Sequence, residues 1–309
     1  AVTGVQTCAL PICSGSVASR MTPVDALVTG IGELSLDAAA QTMVQRKVKK
    51  LPLVNADGTL IGLITAKDIH RQERLPFATR DEYGRLRVGA AIGATGDYLE
   101  RAAELLKAHV DVIVIDIAHG HSIVMGRAIE AFKARFPDVE LVAGNVATAE
   151  GVQFLAERGV HAIKVGIGPG GGCTTRITTS FGVPQLQALY ECARAHSDVP
   201  LIADGGIKRH GAILEALLFG GDTVMLGSMF AGTEETPGDV VQKSVLLPDQ
   251  QRSVKVPFKV LRGMASIQAI RDRLDVEDDE IVDLEAIGAE GTEVSVPARG
   301  SVRPIIQDI

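Results

Sequence analysis

From Gly84 to about residue 230 the chain alternates two hydrophobic rhythms. Near-continuous apolar runs of strand length, LRVGAAIG, DVIVIDIAHG, VELVAGNVAT, AIKVGIGPG, PLIADGG and TVMLGSM, each end in small or polar residues, and helical patterns such as Tyr98 to His109 lie between them. A run with no polar alternation is a strand buried on both faces. With a helix between each pair, it predicts a parallel sheet. Polar and glycine-rich residues gather where the strands end, which is how a β/α barrel builds its active face. The expected fold is therefore α/β, a TIM (β/α)8-type barrel, with an open doubly wound sheet as the structural rival. Six strands are legible where a closed barrel has eight.

Residues 16–80 read differently. An MTP start and an extended LVT precede a helix expected from Ser35 to about Arg46, with Asp37 in its first turn. LPLVNADGTLIGLIT then places Asn55-Ala56-Asp57-Gly58 between two apolar runs, the chemistry of a hairpin turn, and a second helix begins at Ala66. Residues 1–15 show no periodicity and are read as a non-native or disordered leader. The expected organisation is thus 1–15 leader, 16–80 a small module and 81–309 the barrel.

Composition narrows the partners. With 309 residues, 46% of them hydrophobic, the chain can bury one large core and a smaller one. A net charge of −7 supplies no basic field, and no nucleic-acid-binding signature is present, so no nucleic-acid partner is expected. Phosphate binding stays open, because local backbone amides bind it whatever the overall sign. No apolar run reaches the roughly 18 residues of a membrane helix and no signal peptide is legible, so the expected compartment is the cytoplasm. Cys8, Cys13, Cys173 and Cys192 are scattered, with no C-x-x-C pair to suggest disulfides or zinc.

The densest chemistry lies in Val165–Arg176, VGIGPGGGCTTR. It reads as a strand end, a glycine loop able to hold an anion with N–H groups or a monovalent cation with C=O groups, then one cysteine and two threonines. Gly166, Gly168 and Gly171 satisfy G-x-G-x-x-G, but TTRITTSFG is not the helix a dinucleotide fingerprint requires. Taken alone, Cys173 is either an inert thiol or a thiolate activated by an amide-lined loop. Cys192, in PQLQALYECARAH, reads as a packed helix residue. His119 and His121 resemble a metal pair without further ligands, so no such site is expected there.

GIGPGxxCTTR, followed by GVPQ (182–185), ADGG (203–206), GSMFAGTEETPG (227–238) and RGMAS (262–266), with IDIAHGHS (115–122) and AGNVATAEG (143–151), resembles the IMP dehydrogenase / GMP reductase family from Leu86 to Asp308. The resemblance implies that Cys173 is the nucleophile, assisted by Thr175 and Glu290. It also implies that Asp204, Gly206, Gly227, Ser228, Met264, Ala265 and Glu290 bind the purine nucleotide. Asp116 and Asn145 would serve the cofactor side, and carbonyls of Gly168, Gly170 and Cys173 would hold potassium. The implied activity is NAD-dependent oxidation of IMP to XMP. NADPH-dependent reduction of GMP, or a regulator without catalysis, are the alternatives. Residues 16–80 resemble one CBS motif, implying either an allosteric adenine or guanine nucleotide or an inert appendage. The family further implies a homotetramer when full length, and two barrel strands and a C-terminal segment beyond those seen here. Two positions depart from the family pattern, Gly171 in place of serine and Leu261 in place of tyrosine. The flap expected at about 267–290 contains no tyrosine to make the usual Arg-Tyr pair.

Overall fold

The computed structural model describes residues 16–81, 84–195, 197–247, 252–274 and 288–309. The chain divides into two compact units at Leu86/Arg87. In the first, β1 (Gly30–Ile31), α1 (Leu36–Arg46), β2 (Lys50–Val54), β3 (Leu60–Thr65) and α2 (Ala66–Arg74) form a three-stranded sheet with its helices. β2 lies parallel to β1 and antiparallel to β3. Ser35 does not enter α1 but caps it: its side chain accepts from the Ala38 amide at 3.3 Å, satisfying one of the orphan first-turn donors. The Asn55–Gly58 turn forms as expected, with the Gly58 amide donating to the Asn55 carbonyl at 3.0 Å. Ala39, Met43, Leu51 and Ile64 are the small core of this unit.

The second unit begins with β4 (Gly89–Ile92), α3 (Tyr98–Lys107), β5 (Val112–Asp116), α4 (Ile123–Arg135), β6 (Leu141–Val146), α5 (Ala149–Ala156), β7 (Ala162–Val165), α6 (Thr175–Thr178), α7 (Gln185–Ala193), β8 (Leu201–Asp204), α8 (His210–Leu218) and β9 (Thr223–Met225). Strands β4 to β9 are the six apolar runs of the sequence. They pair in chain order, every neighbour parallel, into a curled half-barrel of the (β/α)8 type with β4 and β9 at its edges. The outer helices bury their apolar stripes on it: Ile113, Ile115, Leu141, Ile163, Phe132, Leu155 and Leu189 are all fully buried. Burying each such side chain stabilises by about 1.5–3 kcal/mol. Ser122 and Thr148 cap α4 and α5 through side-chain oxygens, so chain direction reverses sharply at the C-terminal ends of β5 and β6.

A third sheet follows, formed by β10 (Val241–Leu247), β11 (Arg252–Arg262) and β12 (Glu293–Pro297), all antiparallel; α9 (Ile267–Leu274) precedes β12 and α10 (Arg303–Asp308) closes the order. No hydrophobic run predicts strands here, although Val254, Val256, Phe258 and Val260 alternate with polar or proline positions at the strand period of two. Most of the expected flap lies outside the described residues. Among the described residues, no helix is long and apolar enough to cross a membrane.

Candidate active site

The strand ends converge on one cluster. β7 stops at Val165 and runs into the glycine loop, whose Gly166 and Gly168 adopt φ of 146° and 88°. A side chain on Gly166 would run into the Asp204 carbonyl oxygen, so the loop leaves the sheet flush against the end of β8. Gly205, at φ 93°, lets the ADGG turn close on Pro169 and Gly170; a Cβ there would stand 2.9 Å from the Pro169 ring. Gly206 is also left-handed, at φ 81°. These glycines are required by close approach and by backbone conformation together.

Cys173 emerges half-buried from this loop and bridges to Gly291 in an isolated β-pairing. Its amide donates to the Gly170 carbonyl at 3.2 Å, while the Thr174 amide donates to the Glu290 carbonyl at 2.8 Å. The side chains continue the linkage: Cys173 Sγ donates to Thr175 Oγ1 at 3.2 Å, and Thr175 Oγ1 donates to Glu290 Oε2 at 2.7 Å. A thiol, a hydroxyl and a carboxylate in series are a path along which a proton can move. On the same side, the Glu290 amide donates to the Ala265 carbonyl at 3.2 Å, and Met264 is left 82% exposed, available to a ligand. Gly227 faces open space, and a Cβ on Gly171 would stand 2.6 Å from Ser228 Oγ and 3.9 Å from a Leu261 methyl. The glycine loop thus lies against Ser228, Leu261 and residues 263–266 and 290–292.

Asp116 ends β5, Asn145 sits near the end of β6 and Asp204 ends β8. The Asn145 amide nitrogen donates to the Gly166 carbonyl at 2.7 Å and to Asp204 Oδ2 at 3.0 Å, whereas its buried oxygen Oδ1 finds no partner among the described residues. A buried acceptor left open costs free energy unless a ligand or water supplies a donor. Lys164, which sequence reasoning missed, joins the acids: its ammonium is 3.0 Å from Asp116 Oδ2 and 3.1 Å from Asp204 Oδ2, and its side chain is only 3% exposed. Burial pulls this ammonium down. The Asp204 and Asp116 carboxylates outweigh that and hold it above the ordinary lysine value. The available signal was a lysine inside the otherwise apolar run AIKVG. Gln185 was also missed as a contributor, and its side-chain nitrogen ties the Val165 carbonyl at 2.8 Å.

The second described cysteine is a packing residue. Cys192 is buried in α7, and burial pushes its thiol up to about 12, so it is the inert packed residue expected. His119 and His121 have ring centroids 6.5 Å apart, and no group of three or more His, Cys, Asp or Glu able to hold a metal exists among the described residues.

Fold and site define a class: a β/α-barrel protein whose strand ends hold a loop cysteine, a hydroxyl–carboxylate relay and a lysine-bridged acid pair. The chain belongs to the IMP dehydrogenase / GMP reductase family, matching that domain over residues 14–309. It is 45% identical over 285 residues to an inosine-5'-monophosphate dehydrogenase of Aquifex aeolicus, covering 92% of this chain and 56% of that protein. It is 43% identical over 301 residues to one of Nitrosopumilus maritimus, covering 96% and 61%. Among solved structures it resembles a cysteine-to-alanine variant of GMP reductase from Trypanosoma brucei in complex with guanosine 5'-monophosphate, with TM-score 0.83, 36% identity, and 98% and 62% coverage. The chain therefore spans little more than half the length of the relatives it matches.

Proposed function

We propose that the chain carries the catalytic machinery of an NAD-dependent IMP dehydrogenase. The Cys173 sulfur adds to C2 of the purine ring of IMP, and hydride leaves C2 for NAD. Water then hydrolyses the thioimidate, releasing XMP and returning the thiol. A covalent nucleophile divides one difficult substitution into two easier steps. The observation that carries this reading is the Cys173–Thr175–Glu290 series, which joins a nucleophile to a carboxylate able to take a proton from the hydrolytic water. Asp204 offers acceptors for the ribose hydroxyls, Asn145 serves the cofactor side, and Gly206, Gly227 and Ser228 bind the 5′-phosphate. Met264 and Ala265 lie against the base and Asp116 takes the nicotinamide-side ribose, where NAD supplies the hydride acceptor.

A potassium ion fits the carbonyls of Gly168, Gly170 and Cys173 in chemical kind, since uncharged backbone oxygens on a tight turn are the donors monovalent cations use. It would hold the loop in the conformation that presents Cys173. Residues 16–80 are proposed as a single CBS motif binding an adenine or guanine nucleotide, within a cytoplasmic homotetramer of the longer protein.

Mixing the chain with IMP and NAD and following NADH tests the reading: a burst followed by slow turnover is expected. The GMP-bound reductase neighbour and the tyrosine-free segment 267–290 favour a second reading, reduction of GMP to IMP with NADPH. NADPH consumption with GMP, and no NADH from IMP, would select it. IMP binding without either reaction would select the regulator.

A further inference from the structure

Lys164 touches neither the nucleophile nor the relay, yet it is almost wholly buried while carrying a charge. Room for it is built in: a Cβ on Gly144, on the neighbouring strand β6, would stand 2.6 Å from the Lys164 Cβ. Asp116 and Asp204 each present their Oδ2 within about 3 Å of its single nitrogen, and they remain 41% and 24% exposed, reachable by a ligand. Without a cation between them, the two carboxylates would face one another with nothing to offset their like charges. Of the two carboxylates Asn145 reaches Asp204 and carries no charge, so it cannot substitute for a charge shared by both.

We infer that Lys164 is a positioning residue: it is the common counter-ion that offsets the repulsion between Asp116 and Asp204 and fixes both carboxylates, so that two ribose-bearing ligands are held at the ends of β5 and β8 at once. The inference rests on the functional reading, in which Asp204 serves the mononucleotide and Asp116 the dinucleotide. Each carboxylate gives Oδ2 to the lysine and keeps Oδ1 for hydroxyl donors of a ligand. The acid pair and its lysine thus form one unit spanning β5, β7 and β8.

The test is a rescue measured by IMP titration in the Cys173→Ala background, where binding is read without turnover. Lys164→Met is expected to weaken IMP binding about tenfold or more, the usual weight of losing a charge-assisted hydrogen bond that fixes Asp204. Adding Asp116→Asn removes the repulsion. The double variant Lys164→Met/Asp116→Asn is expected to recover most of the lost IMP affinity. Filling or emptying of space at Lys164 cannot produce that rescue. Should Lys164→Met fail to fold by circular dichroism, Lys164→Gln replaces it in both arms. A double variant as weak as the single one, or a single variant as tight as the parent, overturns the inference alone. An unaltered chain that binds no IMP overturns the functional reading and the inference with it.

Discussion

Thr175 and Glu290, 115 positions apart in the chain, meet through a 2.7 Å hydrogen bond in which the threonine hydroxyl donates to the carboxylate. Thr175 accepts at the same time from Cys173 Sγ. The hydroxyl is thereby oriented by both partners, and it donates its proton towards the carboxylate.

If that linkage serves hydrolysis, Glu290→Gln and Thr175→Val lower steady-state turnover about a hundredfold, the usual weight of a positioned acid–base group. The NADH burst should keep its amplitude, since hydride departs before water is activated. Stopped-flow mixing with IMP and NAD separates the two phases; equal loss in both would show that the pair acts before hydrolysis.

The two described cysteines are expected to differ in reactivity. Cys173 should be alkylated by iodoacetamide at neutral pH and protected by IMP, while Cys192, pushed up to about 12 by burial, stays unmodified in the folded chain. Mass spectrometry of the digested protein reads both sites. A raised folded-state thiol value means the native state holds its proton more tightly than the unfolded one. Stability from Cys192 is therefore fully present below about pH 9 and is lost as pH rises towards about 12. Urea midpoints should fall through that alkaline window, and less so in Cys192→Ala.

Gly166→Ala puts a methyl where the Asp204 carbonyl oxygen lies and forces a left-handed φ on alanine. The cost should be about 2–4 kcal/mol of stability, with loss of IMP affinity because the end of β8 must move. Thermal melts and IMP titration on the same sample check both.

Lys259, on β11, is buried and donates to the carbonyls of Thr233, Glu234 and Thr236 at 2.9, 3.3 and 2.6 Å. Its ammonium anchors the segment that follows Ser228. Lys259→Met should destabilise by about 2–3 kcal/mol, the worth of charge-assisted hydrogen bonds lost at a buried site. Nucleotide binding should weaken as well, while iodoacetamide still reaches Cys173 at the parent rate. Calorimetry and timed alkylation distinguish these effects.

By itself the sequence determined whatever repeats locally. Strands β4 to β9 were legible because a parallel sheet covered by helices leaves both faces apolar, and α1 and the Asn55–Gly58 turn because capping and turn chemistry act within a few residues. The motif around Cys173 likewise named its family. Tertiary structure alone decided which charges meet. Lys164 is one polar position in a buried strand, and nothing within its own run says that Asp116, 48 residues before it, and Asp204, 40 after it, will face it. That pairing follows from parallel register across four strands, a contact set by hydrogen bonds between segments rather than by any residue's own preference. The β10–β12 sheet escaped for a related reason. A half-buried antiparallel ladder shows only alternation in each strand, and its pairing of Leu261 with Val294 brings the RGMAS and Glu290 segments to Cys173 only once the chain has folded.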